Sequence, residues 1–113
     1  MNEHDALKML GALSQAMRLH IIRYLIERGD DGAAAGEIAE AMGAIASKAS
    51  FHLAALERAG LISSERQSRK IIYRASFEAL GGLVSFMLND CCGNHPDIRV
   101  CCGLDKCLES SRG

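Results

Sequence analysis

Residues 47–61 read Ser-Lys-Ala-Ser-Phe-His-Leu-Ala-Ala-Leu-Glu-Arg-Ala-Gly-Leu, and few structures accommodate that order. Ala49, Leu53 and Leu56 recur at helical spacing and define one face that must be buried. Ser47 is placed to act as the N-cap and Gly60 as the left-handed terminator of a helix over 47–60. Its first turns hold Ser47, Lys48, Ser50 and His52, short hydrogen-bonding groups with one cation. A helix anchored by an apolar stripe, with polar donors at its N-terminal end, has the chemistry to enter a DNA major groove and meet phosphate. Capping and amphipathicity are general helix features, so the flanking sequence must decide.

After Leu61 the period changes. Residues 62–65 and 71–74 read as strands, and Arg66-Gln67-Ser68-Arg69-Lys70 joins them. The expected hairpin is tipped with Arg66, Arg69 and Lys70, cations suited to lie along a phosphate backbone. Before Ser47, a short helix over 36–42 stopped by Gly43 completes a helix-turn-helix layout. Further back are a helix over 5–13, then Ser14 as a candidate N-cap for a helix carrying Met17, Ile21, Ile22, Leu25 and Ile26. Gly29-Asp30-Asp31-Gly32 supplies the turn that ends it.

The last helix, expected over 76–90, has a wide apolar side: Phe77, Leu80, Leu83, Val84, Met87 and Leu88. Its middle pair, Gly81 and Gly82, weakens it or lets another helix approach closely. A chain of 113 residues has room for one modest core, and with aromatics at 4% that core is aliphatic. So much apolar helix exceeds what one such domain needs, and its natural use is pairing with the same helix of a second subunit. The expected fold is mainly α with a β-hairpin wing: a winged helix-turn-helix dimerising through its terminal helices. Residues 1–92 would form this unit, and 93–113 a cysteine-containing C-terminal tail.

The formal net charge is -1, which does not by itself indicate a nucleic-acid partner. The distribution does. Over residues 47–74, Lys48, Arg58, Arg66, Arg69, Lys70 and Arg74 outnumber Glu57 and Glu65, so a basic face sits on an otherwise acidic chain. No apolar run is long enough to span a bilayer, and Met-Asn-Glu-His-Asp is not a leader, so the expected location is cytoplasmic, with no membrane partner. In that reducing compartment the five cysteines are expected as thiols, ligands or sensors rather than structural disulfides.

Two motifs resemble the ArsR/SmtB family of winged-helix repressors. Leu13-Ser14-Gln15-Ala16-Met17-Arg18-Leu19 is similar to the family's Leu-Ser-x-Pro-x-Arg-Leu opening, with Ala16 where proline is usual. Ser50-Phe51-His52-Leu53, then Leu56 and Ala59-Gly60-Leu61, is similar to its recognition helix. The resemblance covers about residues 13–92. It implies a dimer that represses a resistance or homeostasis operon until an inducer binds, and no enzymatic activity. Two of the family's sensor patterns are missing. Residues 33–38 hold no Cys-x-Cys, and residues 76–87 hold neither Asp nor His.

Any inducer site therefore lies elsewhere, and the strongest signal outside the DNA-binding unit is the clustering of all five cysteines in the last quarter: Cys91-Cys92, Cys101-Cys102 and Cys107. Thiolates are the preferred ligands of soft ions, and As(III) or Sb(III) takes three sulfurs with no fourth ligand. Cys91 and Cys92 would supply two and either Cys101 or Cys102 the third, with Cys107 a spare. Adjacent cysteines do not easily close a relaxed disulfide, which keeps the pair available. Some members of the resembled family likewise end the last helix with a cysteine pair and carry a further cysteine downstream. Alternatives stay open: a zinc or cadmium site, though no Cys-x-x-Cys knuckle is present; a thiol-redox switch between the two pairs; or a tail whose thiols do nothing. An arsenical-transforming enzyme is a different class, disfavoured because no general acid or base neighbours a nucleophile and the basic hairpin would go unused.

Overall fold

Ala49, Leu53 and Leu56 are buried, as their spacing requires, on the inner side of a helix spanning Ala46–Arg58. The computed structural model describes residues 1–88. Within them the elements run α1 (Glu3–Leu13), α2 (Ala16–Arg28), a 3-10 turn (Gly29–Asp31), β1 (Ala33–Ala34), α3 (Ala35–Met42), α4 (Ala46–Arg58), β2 (Ile62–Gln67), β3 (Lys70–Ala75) and α5 (Phe77–Phe86). Leu53 and Leu56 of that inner stripe join a core in which Ile21 and Leu25 of α2, Ile38 of α3 and Leu61 are also fully buried. Each large aliphatic side chain so removed from water contributes roughly 1.5–3 kcal/mol, which is what holds the three helices together.

The helix ends differ from expectation in two places. Ser47 lies inside α4, one residue past its start; the N-cap is Ile45, which has no side-chain hydrogen bond to give. Ser14 caps no helix start either. Only Ser14 and Gln15 separate α1 from α2, so Ser14 still belongs to the end of α1, where its hydroxyl donates to the Gly11 carbonyl at 2.7 Å. The expected stops hold: Gly43 ends α3 in the left-handed conformation, and Gly60, at φ +83°, follows α4. Ser76 caps α5, accepting from the Ala79 amide at 3.1 Å.

Strands β2 and β3 pair antiparallel from Ile62 opposite Ala75 to Gln67 opposite Lys70. The ladder thus runs further than residues 62–65 and 71–74, because a strand exposed on both faces needs no alternation to keep its backbone bonds. The turn shrinks to Ser68 and Arg69, with Ser68 at φ 60°, the positive value that tight hairpins demand. On the other side of β3, β1 adds two rungs, Ala33 opposite Tyr73 and Ala34 opposite Ile72, giving the order β1-β3-β2. Two alanines carry no periodicity, so this strand has no sequence signature. The result is a winged helix-turn-helix with the wing tied to the start of α3 through β1.

Helices α1 and α5 each bury one side and leave another bare. Ala6, Met9 and Ala12 of α1 and Leu83 of α5 are in the core, while Leu7, Leu10, Phe77 and Val84 face outward.

Gly32 makes the corner between α2 and the sheet. At φ +63°, a Cβ there would come to 2.5 Å from the Tyr73 carbonyl oxygen and 2.8 Å from Ile72 Cγ2. Gly29 has a similar φ, +58°, but open space around it. Gly32→Ala is expected to lower the unfolding free energy by about 3 kcal/mol or more, and Gly29→Ala by only about 1 kcal/mol, in urea titrations. Equal losses would show that backbone conformation alone, and not the close approach of β3, requires glycine at 32.

Candidate nucleic-acid interface

With Ala49, Leu53 and Leu56 turned inward, the opposite side of α4 is fixed. Ser47, Ser50, Phe51 and Ala54 are exposed at positions i, i+3, i+4 and i+7, one continuous outer stripe, and Lys48 is exposed beside it. The first turn of α4 holds no acidic residue and no side-chain cap, so its free N–H groups and positive dipole end are left for an outside acceptor. Ser47 is thus correctly placed on the outer surface although it is not the cap.

His52, expected to support DNA contact or the helix core, lies in the core and not on the outer side of α4. It is 2% exposed, set on the inner flank of α4 next to Ala49 and Leu53, and has no surface with which to touch DNA. Its Nδ1 accepts a hydrogen bond from Nε of Arg18, on α2, at 3.1 Å. An arginine can only donate, so this bond requires an unprotonated Nδ1. Burial, then the positive charges of Arg18 and Lys48, hold the imidazole below its ordinary pKa and keep it neutral. The His52 ring also meets Phe51 edge-on, with centroids 5.5 Å apart and planes at 71°, while the Arg18 guanidinium stands 5.9 Å from the centre of the Phe51 ring. Arg18 and Phe51 were not singled out from the sequence. Arg18 stands in the motif over 13–19 that resembles the family's opening, but it is 34 positions from His52 and outside the basic stretch, so the motif does not reveal its partner. Phe51 did carry a signal: an aromatic that lies off the apolar stripe of its own helix.

On the wing, Arg66, Arg69 and Lys70 are all exposed. Arg66 Nε bonds weakly to the Ser68 carbonyl at 3.4 Å, across the turn. Arg69 and Lys70 share an open cleft of about 570 Å³ with Ser50 of α4 and Glu37 of α3, so wing and recognition helix border one concave surface. Arg74, part of the same basic stretch, is turned away. Its Nε donates to the Asp30 carbonyl at 2.7 Å and its Nη1 pairs with Glu65 at 3.0 Å, tying the wing to the turn after α2. Such an exposed pair is worth at most about 1 kcal/mol, and its use here is positional.

Cys91, Cys92, Cys101, Cys102 and Cys107 lie outside the described residues, as does the expected boundary at 92/93. Among the described residues no group of three or more His, Cys, Asp or Glu side chains converges as a metal site. No helix among them is long and apolar enough to cross a membrane.

A helix-turn-helix whose second helix presents an exposed, acid-free outer stripe, followed by a cationic hairpin, is the layout of a winged helix-turn-helix transcriptional regulator. The sequence comparisons agree. A family described as a helix-turn-helix domain matches residues 13–65. The HTH-type transcriptional regulator YgaV of Escherichia coli (strain K12) is 36% identical over 88 residues, covering 78% of this chain and 87% of that protein. Among solved structures, the homodimeric winged helix-turn-helix DNA-binding domain of Mb0332 from Mycobacterium bovis, a possible ArsR-family regulator, is 28% identical with a TM-score of 0.63, covering 82% of this chain and 86% of that one. An ArsR-like transcriptional regulator from Rhodococcus sp. RHA1 is 23% identical with a TM-score of 0.67, covering 96% and 91%. The chain belongs to the ArsR family of winged helix-turn-helix transcriptional regulators.

The buried imidazole gives the fold a pH dependence. Because the folded pKa of His52 lies below the unfolded value of 6.5, the unfolded chain binds the proton more readily. The stability held by neutral His52 is complete above pH 6.5 and is lost as pH falls through the lower, folded pKa. Urea unfolding of the wild type should weaken as pH is lowered from 7.5 to 5, and His52→Gln should flatten that dependence. Parallel profiles for the two proteins would remove His52 as the cause.

Proposed function

We propose that this protein is a dimeric transcriptional repressor released from its operator by As(III) or Sb(III) bound to C-terminal thiolates. One observation carries the inducer assignment. Residues 1–88, which make up the DNA-binding fold, contain no cysteine, and all five cysteines follow within residues 91–107. Thiol chemistry is thereby confined to residues 91–107 of the sequence. Three sulfurs satisfy a trivalent arsenic or antimony ion, and the donor set fits: Cys91 and Cys92 as the vicinal pair, with Cys101 or Cys102 closing the site and Cys107 in reserve.

In this proposal two subunits pair through α1 and α5, using the bare apolar sides of Leu7, Leu10, Phe77 and Val84. The homodimeric state named for the Mb0332 domain supports a two-subunit assembly. The two α4 helices then enter successive major grooves of a pseudo-palindromic double-stranded operator. Ser47, Lys48 and Ser50 make base and phosphate contacts, and Arg66, Arg69 and Lys70 hold the backbone from the wing, so affinity falls steeply with salt. An inducer need only bind the low-affinity conformation more tightly by the coupling energy, typically about 1–3 kcal/mol. Because thiols must lose protons to become ligands, inducer binding weakens at low pH.

The test is fluorescence anisotropy of a labelled duplex from just upstream of the gene, titrated with reduced protein and then with arsenite. Binding followed by release near stoichiometric arsenite is the expected result, and Cys91→Ser should raise the arsenite needed at least tenfold. Normal release from Cys91→Ser would sink the site. Binding that ignores arsenite but responds to peroxide or zinc would keep the DNA-binding half and replace the inducer.

A further inference from the structure

Phe51 is 62% exposed on the outer stripe of α4, between the hydroxyls of Ser47 and Ser50 on one side and the methyl of Ala54 on the other. Isolated exposed apolar side chains are common and mean little by themselves. This one is held. Its ring lies against the edge of the buried His52 ring, and the Arg18 guanidinium stands 5.9 Å from its centre. His52 and Arg18 are in turn locked by their own hydrogen bond. The ring is therefore presented outward from a fixed base, with few orientations to lose on contact. Around it the surface suits a polyanion: Lys48 flanks the stripe, the first turn of α4 has no acid, and Arg69 and Lys70 border the same cleft as Ser50.

In a major groove the apolar feature that a base pair offers is the 5-methyl group of thymine, and Phe and Ala side chains are suited to meet it. We propose that Phe51 is a specificity-determining residue that reads a thymine methyl at one position of each operator half-site, with Ala54 widening the same apolar patch. The proposal rests on the DNA-binding role described above and adds a base preference to it. Ser47 and Ser50 can bond to more than one base edge, so the ring supplies discrimination that the hydroxyls lack.

The experiment begins by selecting bound duplexes from a random-sequence library with the full chain, then replaces each thymine of the recovered operator, one at a time, by deoxyuridine. That substitution removes a single methyl and leaves base pairing intact. At one symmetry-related position the wild type should lose about fourfold in affinity, the effect of burying one methyl group. Phe51→Ala should bind the thymine and deoxyuridine operators equally, and Phe51→Leu should keep part of the difference. Identical deoxyuridine profiles for wild type and Phe51→Ala, or an operator with no sensitive thymine, would overturn the assignment while leaving DNA binding intact. Recovery of no duplex at low salt would instead overturn the DNA-binding role itself, and the inference with it.

Discussion

The arrangement of the whole molecule depends on the burial of one side of α4. Leu53 and Leu56 share one core with Ile21, Leu25, Ile38 and Leu61, and Ala49 is buried on the same side of the helix. A helix so pinned has no rotational freedom, and every residue on its far side is thereby assigned a direction. Ser47, Ser50, Phe51 and Ala54 face outward because the inner stripe leaves them no other place. The same core continues through Ile62 and Ala75 into the roots of the wing, so helix and hairpin are registered against each other by packing rather than by surface contacts.

A second, smaller constraint links α2 to α4 at the surface itself. The bond between Arg18 and His52 joins the two helices beside the outer stripe and fixes the imidazole as a neutral acceptor. A hydrogen bond to a charged donor of this kind contributes roughly 1.5–3 kcal/mol, and losing it would leave a buried ring nitrogen unpaired. Arg74 plays the corresponding part for the wing through the Asp30 carbonyl and Glu65. Two of the chain's arginines thus serve the geometry of the basic face rather than its charge. The net charge of -1 is compatible with duplex binding for that reason: what matters is the few cations left exposed at the wing and the start of α4.

Much of this was legible in the sequence, and the limits are physical. The three-residue core stripe of α4 reports burial, which periodicity records directly, and the glycine stops at 43 and 60 report positive φ, which glycine alone adopts freely. Ser14 and Ser47 were misplaced because a capping residue is known only once the chain's turn is known; in a two-residue connection a hydroxyl can face either helix. The strand at 33–34 and the extra rungs of the wing left no trace, since backbone pairing makes no demand on alanine or on doubly exposed polar residues. The sequence leaves His52 open between DNA contact and the helix core, because the pattern of types cannot show that a polar residue on an inner flank has found a partner 34 positions away. Phe51 was visible in the motif that resembles the family, but its meaning came only with its direction. The cysteines, Cys91 to Cys107, lie beyond residue 88, and their part in the account is chemical.

The central claim is that double-stranded DNA docks on the outer stripe of α4 and on the wing. Titrating the isotopically labelled protein with its operator duplex and following backbone amide resonances tests it most directly. The account predicts the largest shifts over residues 46–54 and 66–70, with α1 and α5 little changed. Shifts confined to α1 and α5, or none at low ionic strength, would contradict it.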